Sequence, residues 1–252
     1  MRELFDLAMD IGEQMLLCGA EVGRVEESVA LMCRAFGAEK TEVFSITSNL
    51  TATFYEPGGD FYTQTRRIRP SRTGTDYEKL HILNALSRDI CGGGLTAEQI
   101  RERLGAAENR KKYPLWAEYL CCCAIAGAFT LFFGGGFAEA GVSLLIGLLV
   151  RFCLTFAEKL FSNRIFTRFS VTAAASLLAF AAMDAGLIPT PDKVMIGNIM
   201  TLIPGIGLTS ALRDLFTGDS ISGALRSIEA VLIALGIAGG YIAVAVIRGA
   251  LL

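Results

Sequence analysis

Arg110-Lys111-Lys112-Tyr113-Pro114-Leu115-Trp116-Ala117-Glu118-Tyr119-Leu120-Cys121-Cys122-Cys123-Ala124-Ile125 is where the chain changes character. Of its 48 charged side chains, 32 lie within residues 1–112 and 16 in the 140 residues that follow. Those 16 fall mainly between apolar runs at 116–133, 142–156, 171–188, 194–212 and 228–247. An ionised group at mid-bilayer depth costs several kcal/mol on insertion scales and more on others, so charges collect in the loops. Most of the runs approach the ~20 residues that a helix needs to cross the hydrocarbon core. Five such runs in succession read as membrane spans rather than as buried helices of a soluble protein. The expected fold is therefore an α-helical polytopic membrane protein with five transmembrane helices over residues 113–252. A cytoplasmic α/β or α+β domain over residues 1–112 precedes them.

Composition points the same way. A hydrophobic fraction of 52% is high for a soluble chain, and 27 glycines suit closely packed membrane helices. A net charge of −2 gives no reason to invoke nucleic acid. The seven cysteines form no C-x-x-C pair and no metal-ligand pattern with the single histidine, His81. No metal and no cofactor is expected. Met1 to Cys18 is interrupted by Glu3, Asp6, Asp10 and Glu13, which excludes the apolar core of a signal peptide.

Lysine and arginine near the runs predict orientation. Arg110, Lys111 and Lys112 put the first domain in the cytoplasm, and Glu139 alone marks an outer loop. Lys159, Arg164 and Arg168 return the chain to the inside, Asp184 and Asp192 face out, and Arg213 with Arg226 mark a second inner loop. The expected localisation is the cytoplasmic membrane, multi-pass, with the N-terminus inside and the C-terminus outside. Arg248 near that outer end dissents.

Within the first domain, Leu4, Leu7, Ile11, Met15 and Cys18 recur at helical spacing, and Val22, Val25, Val29, Met32 and Phe36 repeat the pattern. Gly37 should end that second helix. Residues 41–55 read as one strand, Pro57-Gly58-Gly59-Asp60 as a turn and 61–69 as the returning strand. Two more helices follow, the second opened by a capping box of Thr96 and Gln99. Arg66, Arg67, Arg69 and Arg72 are read as an anion site, as a solvated strand face or as a patch on anionic lipid headgroups, and His81 as structural.

The functional signal lies in the fourth run, Asn198-Ile199-Met200-Thr201-Leu202-Ile203-Pro204-Gly205-Ile206-Gly207. Proline removes a backbone donor and glycine loosens a helix, so a break near Pro204 is expected. Polar backbone at membrane depth is tolerated where protein or a wet cavity satisfies it, and transporters use broken helices to hold polar substrates. Asn198, Thr201, Pro204, Gly205 and Gly207 are thus candidate substrate-binding residues, with Arg213 and Asp214 at the cytoplasmic mouth. A structural kink is the alternative. Arg151 and Glu158 line the same vestibule or anchor the interface, and Asp184 is a candidate proton site. Gly236 and Gly240 form a G-x-x-x-G face for packing within the chain or against another subunit.

Two motifs carry a resemblance. Gly19-Ala20-Glu21-Val22-Gly23-Arg24-Val25-Glu26 resembles the signature near the start of the threonine/serine exporter family. Ile203-Pro204-Gly205-Ile206-Gly207, with Arg213-Asp214-Leu215, Gly218-Asp219 and Ser222-Gly223, resembles its membrane-domain signature. The resemblance covers essentially the whole chain. Fused members of that family continue into a second membrane module, and this five-span pattern looks more like the large subunit of the split, two-gene form. It implies export of a small carboxylate-bearing metabolite, threonine/serine or a dicarboxylate such as succinate, driven by an ion gradient. It also implies a partner, a small membrane protein or a homo-oligomer. No G-x-x-x-x-G-K-[S/T] loop is present, so direct ATP coupling has no support. An enzyme is not expected, because no nucleophile–base pair stands out and His81 is alone. A non-transporting assembly or metabolite-sensing subunit is the other reading.

Overall fold

The computed structural model describes residues 1–69, 75–110, 113–161 and 163–251, with the side chains of 159 and 251 excepted. Arg72, Lys111 and Lys112, used above, lie outside the described residues, as does the side chain of Lys159. Two compact units are present: Met1–Lys111 with Thr209–Arg226, and Lys112–Leu208 with Ser227–Leu252.

The first unit opens with α1 (Arg2–Leu17) and α2 (Val22–Ala35). Their apolar stripes bury Phe5, Met9, Ile11 and Met15 against Val22, Val25, Val29 and Met32. Gly19 joins them with φ +86°, a left-handed conformation that glycine adopts without steric cost. Next come β1 (Lys40–Ile46), β2 (Asn49–Tyr55) and β3 (Phe61–Arg67), an antiparallel meander in the order β1-β2-β3. The single strand expected over 41–55 is therefore two, reversed through Thr47 and Ser48 between the paired Ile46 and Asn49. Alternation decides the faces of β2. Leu50, Ala52 and Phe54 are buried, with Phe54 against Phe5 at 5.6 Å between ring centroids, while Thr51 and Thr53 pair with Thr65 and Thr63 on the other face. The purely antiparallel pairing makes this unit α+β rather than α/β.

Helices α3 (Tyr77–Cys91) and α4 (Ala97–Glu108) complete the core. Asp76 caps α3 by accepting from Lys79 N, and Thr96 and Gln99 form the expected capping box on α4. Arg66 is occupied by Asp10 at 3.1 Å and Glu13 at 3.8 Å on α1, while Arg67 and Arg69 are exposed. His81 is exposed on α3.

The second unit holds α5 (Leu115–Phe132), α6 (Phe137–Leu160), α7 (Arg164–Asp184), α8 (Asp192–Ile199) and most of α10 (Ser220–Leu251). Among the described residues, four helices are long and apolar enough to cross a membrane: Leu115–Phe132, Phe137–Glu158, Arg164–Asp184 and Ser220–Ala250. The fourth of the five expected spans, the one expected to break near Pro204, is not among them. The run at 194–212 is divided between α8 and α9 (Gly205–Thr217), and α8, at 8 residues, is about 12 Å long against a core of about 30 Å. Helix ends leave carbonyls without intrahelical donors, and Pro204 brings no N–H to continue the ladder. The break expected near Pro204 is present between Ile199 and Gly205.

Ion pairs hold several charged groups of this unit. Arg151 binds Glu118 on α5, so it does not form a face with Glu158 alone; Arg164 meets Glu229 at 3.1 Å, and Asp184 meets Arg248. Gly236 and Gly240 bring α10 onto α7, where a Cβ on Gly236 would lie 2.9 Å from Ile165 O and one on Gly240 would press on Phe169 O. The G-x-x-x-G face is used within the chain.

Candidate functional site

The first motif and the Arg213-to-Gly223 part of the second meet in the first unit, while Ile203 to Gly207 belong to the second. After α1, the turn at Gly19 and Ala20 delivers Glu21, Gly23 and Arg24 to the start of α2. From the far end of the sequence, α9 brings Arg213 and Asp214, and Gly218, with φ +99°, turns the chain into α10. Gly223 lets that turn close, since a Cβ there would lie 2.6 Å from Leu215 Cγ and 2.9 Å from Ala211 O. Asp219 sits against the first turn of α2, where a Cβ on Gly23 would be 3.2 Å from its Oδ2. A carboxylate is favoured there by the unpaired N–H groups of the helix start.

Charge organises the junction. Asp214 is fully buried, and Arg226 Nη1 lies 3.1 Å from its Oδ2. The pair is ionic rather than a directed hydrogen bond, for neither Asp214 oxygen receives one among the described residues. Arg226 Nη2 donates to Ala20 O at 2.9 Å, tying α10 to the α1–α2 turn. Glu21 reaches Arg213 at 3.7 Å. Burial pushes the Asp214 carboxyl above its ordinary range, against the opposing pull of Arg226. Burial also raises Glu26, which accepts from Ser45 N at 2.6 Å. Beside these groups lies a cavity of about 200 Å³ whose lining includes Glu21, Arg24, Tyr77, Asn84, Arg213 and Asp214.

A second polar centre lies in the other unit. Asn198, on α8, is fully buried and donates through Nδ2 to Ser143 Oγ and to Val194 O, both at 2.9 Å. Thr130 Oγ1 bonds Ser143 Oγ at 2.7 Å and Ala126 O at 2.8 Å, so α5, α6 and α8 share one network. Gly197 makes this possible, because a Cβ there would collide with Thr130 Oγ1 and Ala126 O. Asn198 Oδ1 has no hydrogen-bond donor among the described residues. Thr201 Oγ1 donates to Asn198 O at 2.8 Å in the break.

Of the residues singled out from the sequence, Asn198, Thr201, Pro204, Gly205 and Gly207 thus fall in the second unit and Arg213 and Asp214 in the first. Gly205 and Gly207 are exposed, and a Cβ on Gly205 would meet nothing within 4 Å. Ser143 and Thr130 were not foreseen, since a lone hydroxyl in an apolar run carries no local signal. In the sequence Arg226 marks topology and Tyr77 and Asn84 fall on the helical spacing of α3, while Ser210 belongs to no pattern. Among the described residues no cluster of histidine, cysteine or carboxylate is arranged to hold a metal.

Comparison with known proteins gives a family. A family model described as a putative threonine/serine exporter matches residues 6–247. The threonine/serine exporter of Corynebacterium glutamicum is 24% identical over 245 residues, covering 94% of this chain and 50% of its own. The probable threonine/serine exporter of Mycobacterium tuberculosis is 25% identical over 248 residues, covering 96% of this chain and 45% of its own. A pheromone-regulated membrane protein 10 of Kluyveromyces lactis is 23% identical over 232 residues, 88% of this chain and 23% of that one. The chain thus spans about half the length of the two exporters. No solved structure gives a significant match.

Proposed function

The chain belongs to the threonine/serine exporter family, and on that premise we propose that it moves a small carboxylate-bearing metabolite out of the cytoplasm, using an ion gradient. The observation that carries this reading is Asn198, fully buried beside a broken helix, its Oδ1 without a hydrogen-bond donor among the described residues. A buried acceptor left unpaired costs roughly 1–3 kcal/mol, which an ammonium or hydroxyl of a bound substrate would recover. Asn198 and Thr201 contact the substrate, while Pro204, Gly205 and Gly207 keep the chain from closing into one helix. The N-terminus lies inside, and a small membrane protein or a second copy completes the assembly. A metabolite-sensing subunit is the second reading, favoured by the charged cavity that holds Arg213 and Asp214 in the first unit.

Efflux from proteoliposomes tests the exporter reading, with this chain alone and then with the product of the neighbouring gene. Asn198→Ala should lower efflux at subsaturating substrate by about ten- to hundredfold, the loss of one hydrogen bond to a charged ligand. Ser143→Ala breaks the same network but leaves Oδ1 in place, so it should retain most of the activity. Equal losses in both variants would make the network structural and move the substrate path elsewhere.

A further inference from the structure

The meander β1-β2-β3 has two edges, and they differ. On β1, the Ser45 N–H points away from β2 and donates to Glu26 at 2.6 Å, so a carboxylate blunts that edge. On β3, alternation fixes which groups point outward. Glu56 N donates to Asp60 O and Ile68 N to Ser48 O, so the even-numbered residues between them carry the ladder with β2. The N–H and C=O groups of Phe61, Thr63, Thr65 and Arg67 therefore face outward, and none has a hydrogen-bond partner among the described residues. Their side chains are exposed, while Gln64 and Arg66 turn to Asp6 and Asp10 on α1. Sheets blunt free edges with bulges, prolines and lysines. β3 carries none of these: its residues pair one to one with β2, and its sequence is Phe61-Tyr62-Thr63-Gln64-Thr65-Arg66-Arg67.

The strand is complementary to itself. Antiparallel pairing with β3 of a second copy, centred on Gln64, gives every residue of the strand a partner. Thr63 then faces Thr65 of the second copy and extends the threonine rows that Thr53–Thr63 and Thr51–Thr65 already form across the sheet. Phe61, 63% exposed, faces Arg67 of the second copy, which sets an aromatic ring against a guanidinium. Parallel pairing would instead put the arginines of one strand beside those of the other, a like-charge contact. Two chains confined to one bilayer also meet at a raised effective concentration, which favours a second copy over a free peptide. We propose that β3 pairs with β3 of a second copy of this chain, joining two three-stranded meanders into one continuous antiparallel sheet. This contact specifies the second-copy form of the assembly and lies wholly in the first unit. It stands whether or not the chain exports a metabolite, because it is read by assembly rather than by efflux.

The test is sedimentation of the full chain in detergent across a range of concentrations, with thiol cross-linking in native membranes. A reversible dimer is expected. Thr65→Pro removes an outward N–H and spares the ladder with β2, so it should raise the dimer dissociation constant by about tenfold or more. Phe61→Lys changes an exposed side chain and would face Arg67 of the second copy, so it should weaken the dimer by about tenfold. Adding Arg67→Glu to Phe61→Lys should restore it. Within one chain those positions lie at opposite ends of β3, about 20 Å apart, so rescue reports a contact between copies. In a background lacking the native cysteines, chains carrying Thr63→Cys should cross-link to chains carrying Thr65→Cys more than either does to itself. A wild-type chain that neither sediments as a dimer nor cross-links would overturn the proposal. So would an unshifted dissociation constant in Thr65→Pro, or a weakened Phe61→Lys dimer that Arg67→Glu does not rescue.

Discussion

Gly240 offers a quantitative test of how the membrane helices are held. A Cβ added there would press on Phe169 O and lie 3.0 Å from Ala173 N and 3.1 Å from Thr172 Cβ. Two of these atoms belong to the backbone of α7, so they cannot swing aside as a side-chain end would, and α7 and α10 must separate. Overpacking of this kind costs about 1–3 kcal/mol. Alanine also gains roughly 0.5–1 kcal/mol over glycine inside a helix, which confuses a comparison with wild type. Gly249, on the same helix, meets nothing within 4 Å, so Gly249→Ala collects the helix gain without the clash. The difference between the two variants isolates the packing cost, about 1–3 kcal/mol, with Gly240→Ala the less stable. Each kcal/mol or two is a factor of about 5–30 in the folded-to-unfolded ratio. Equilibrium unfolding in mixed micelles, followed by circular dichroism, reads it directly. Cross-linking should give the same oligomer distribution in both variants, since the glycines are occupied within the chain. Coincident unfolding curves would refute the packing argument, and a change confined to oligomer distribution would restore the intersubunit role.

Two further outcomes follow from charge. Burial holds the Asp214 carboxyl above its ordinary 3.8, so the folded state keeps its proton more tightly than the unfolded chain does. That contribution is fully present below pH 3.8 and is lost as pH rises through the folded value; Asp214→Asn should flatten this decline. An unchanged pH–stability profile in Asp214→Asn would show that the carboxyl is not penalised. The positive-inside pattern expects a cysteine placed near Arg110 to react with an impermeant thiol reagent only from the cytoplasmic side of the membrane, in a background lacking the native cysteines. External labelling there would reverse the inferred direction of transport.

Local physics made much of this chain legible. The cost of charge in lipid is paid residue by residue, so Leu115–Phe132, Phe137–Glu158 and Arg164–Asp184 stand out wherever they pack. The alternation of Leu50, Ala52 and Phe54 and the capping box at Thr96 are likewise short-range devices. So is the missing N–H of Pro204, which is why the break was readable. It was less readable that the break leaves α8 and α9 as two short helices, because hydropathy averages across a turn and sees one span. Pairing is a different matter. Asn198 finds Ser143 across 55 positions, Arg226 finds Ala20 across 206, and Gly240 meets Phe169 on another helix. None of these residues carries its partner in its neighbours. The sequence alone determined which segments leave water and where the backbone is interrupted, since those are transfer costs of individual residues. Only the tertiary structure decided which buried polar groups, Asn198 Oδ1 for one, lack a hydrogen bond among the described residues, because satisfaction of a hydrogen bond depends on every chain segment within about 3 Å.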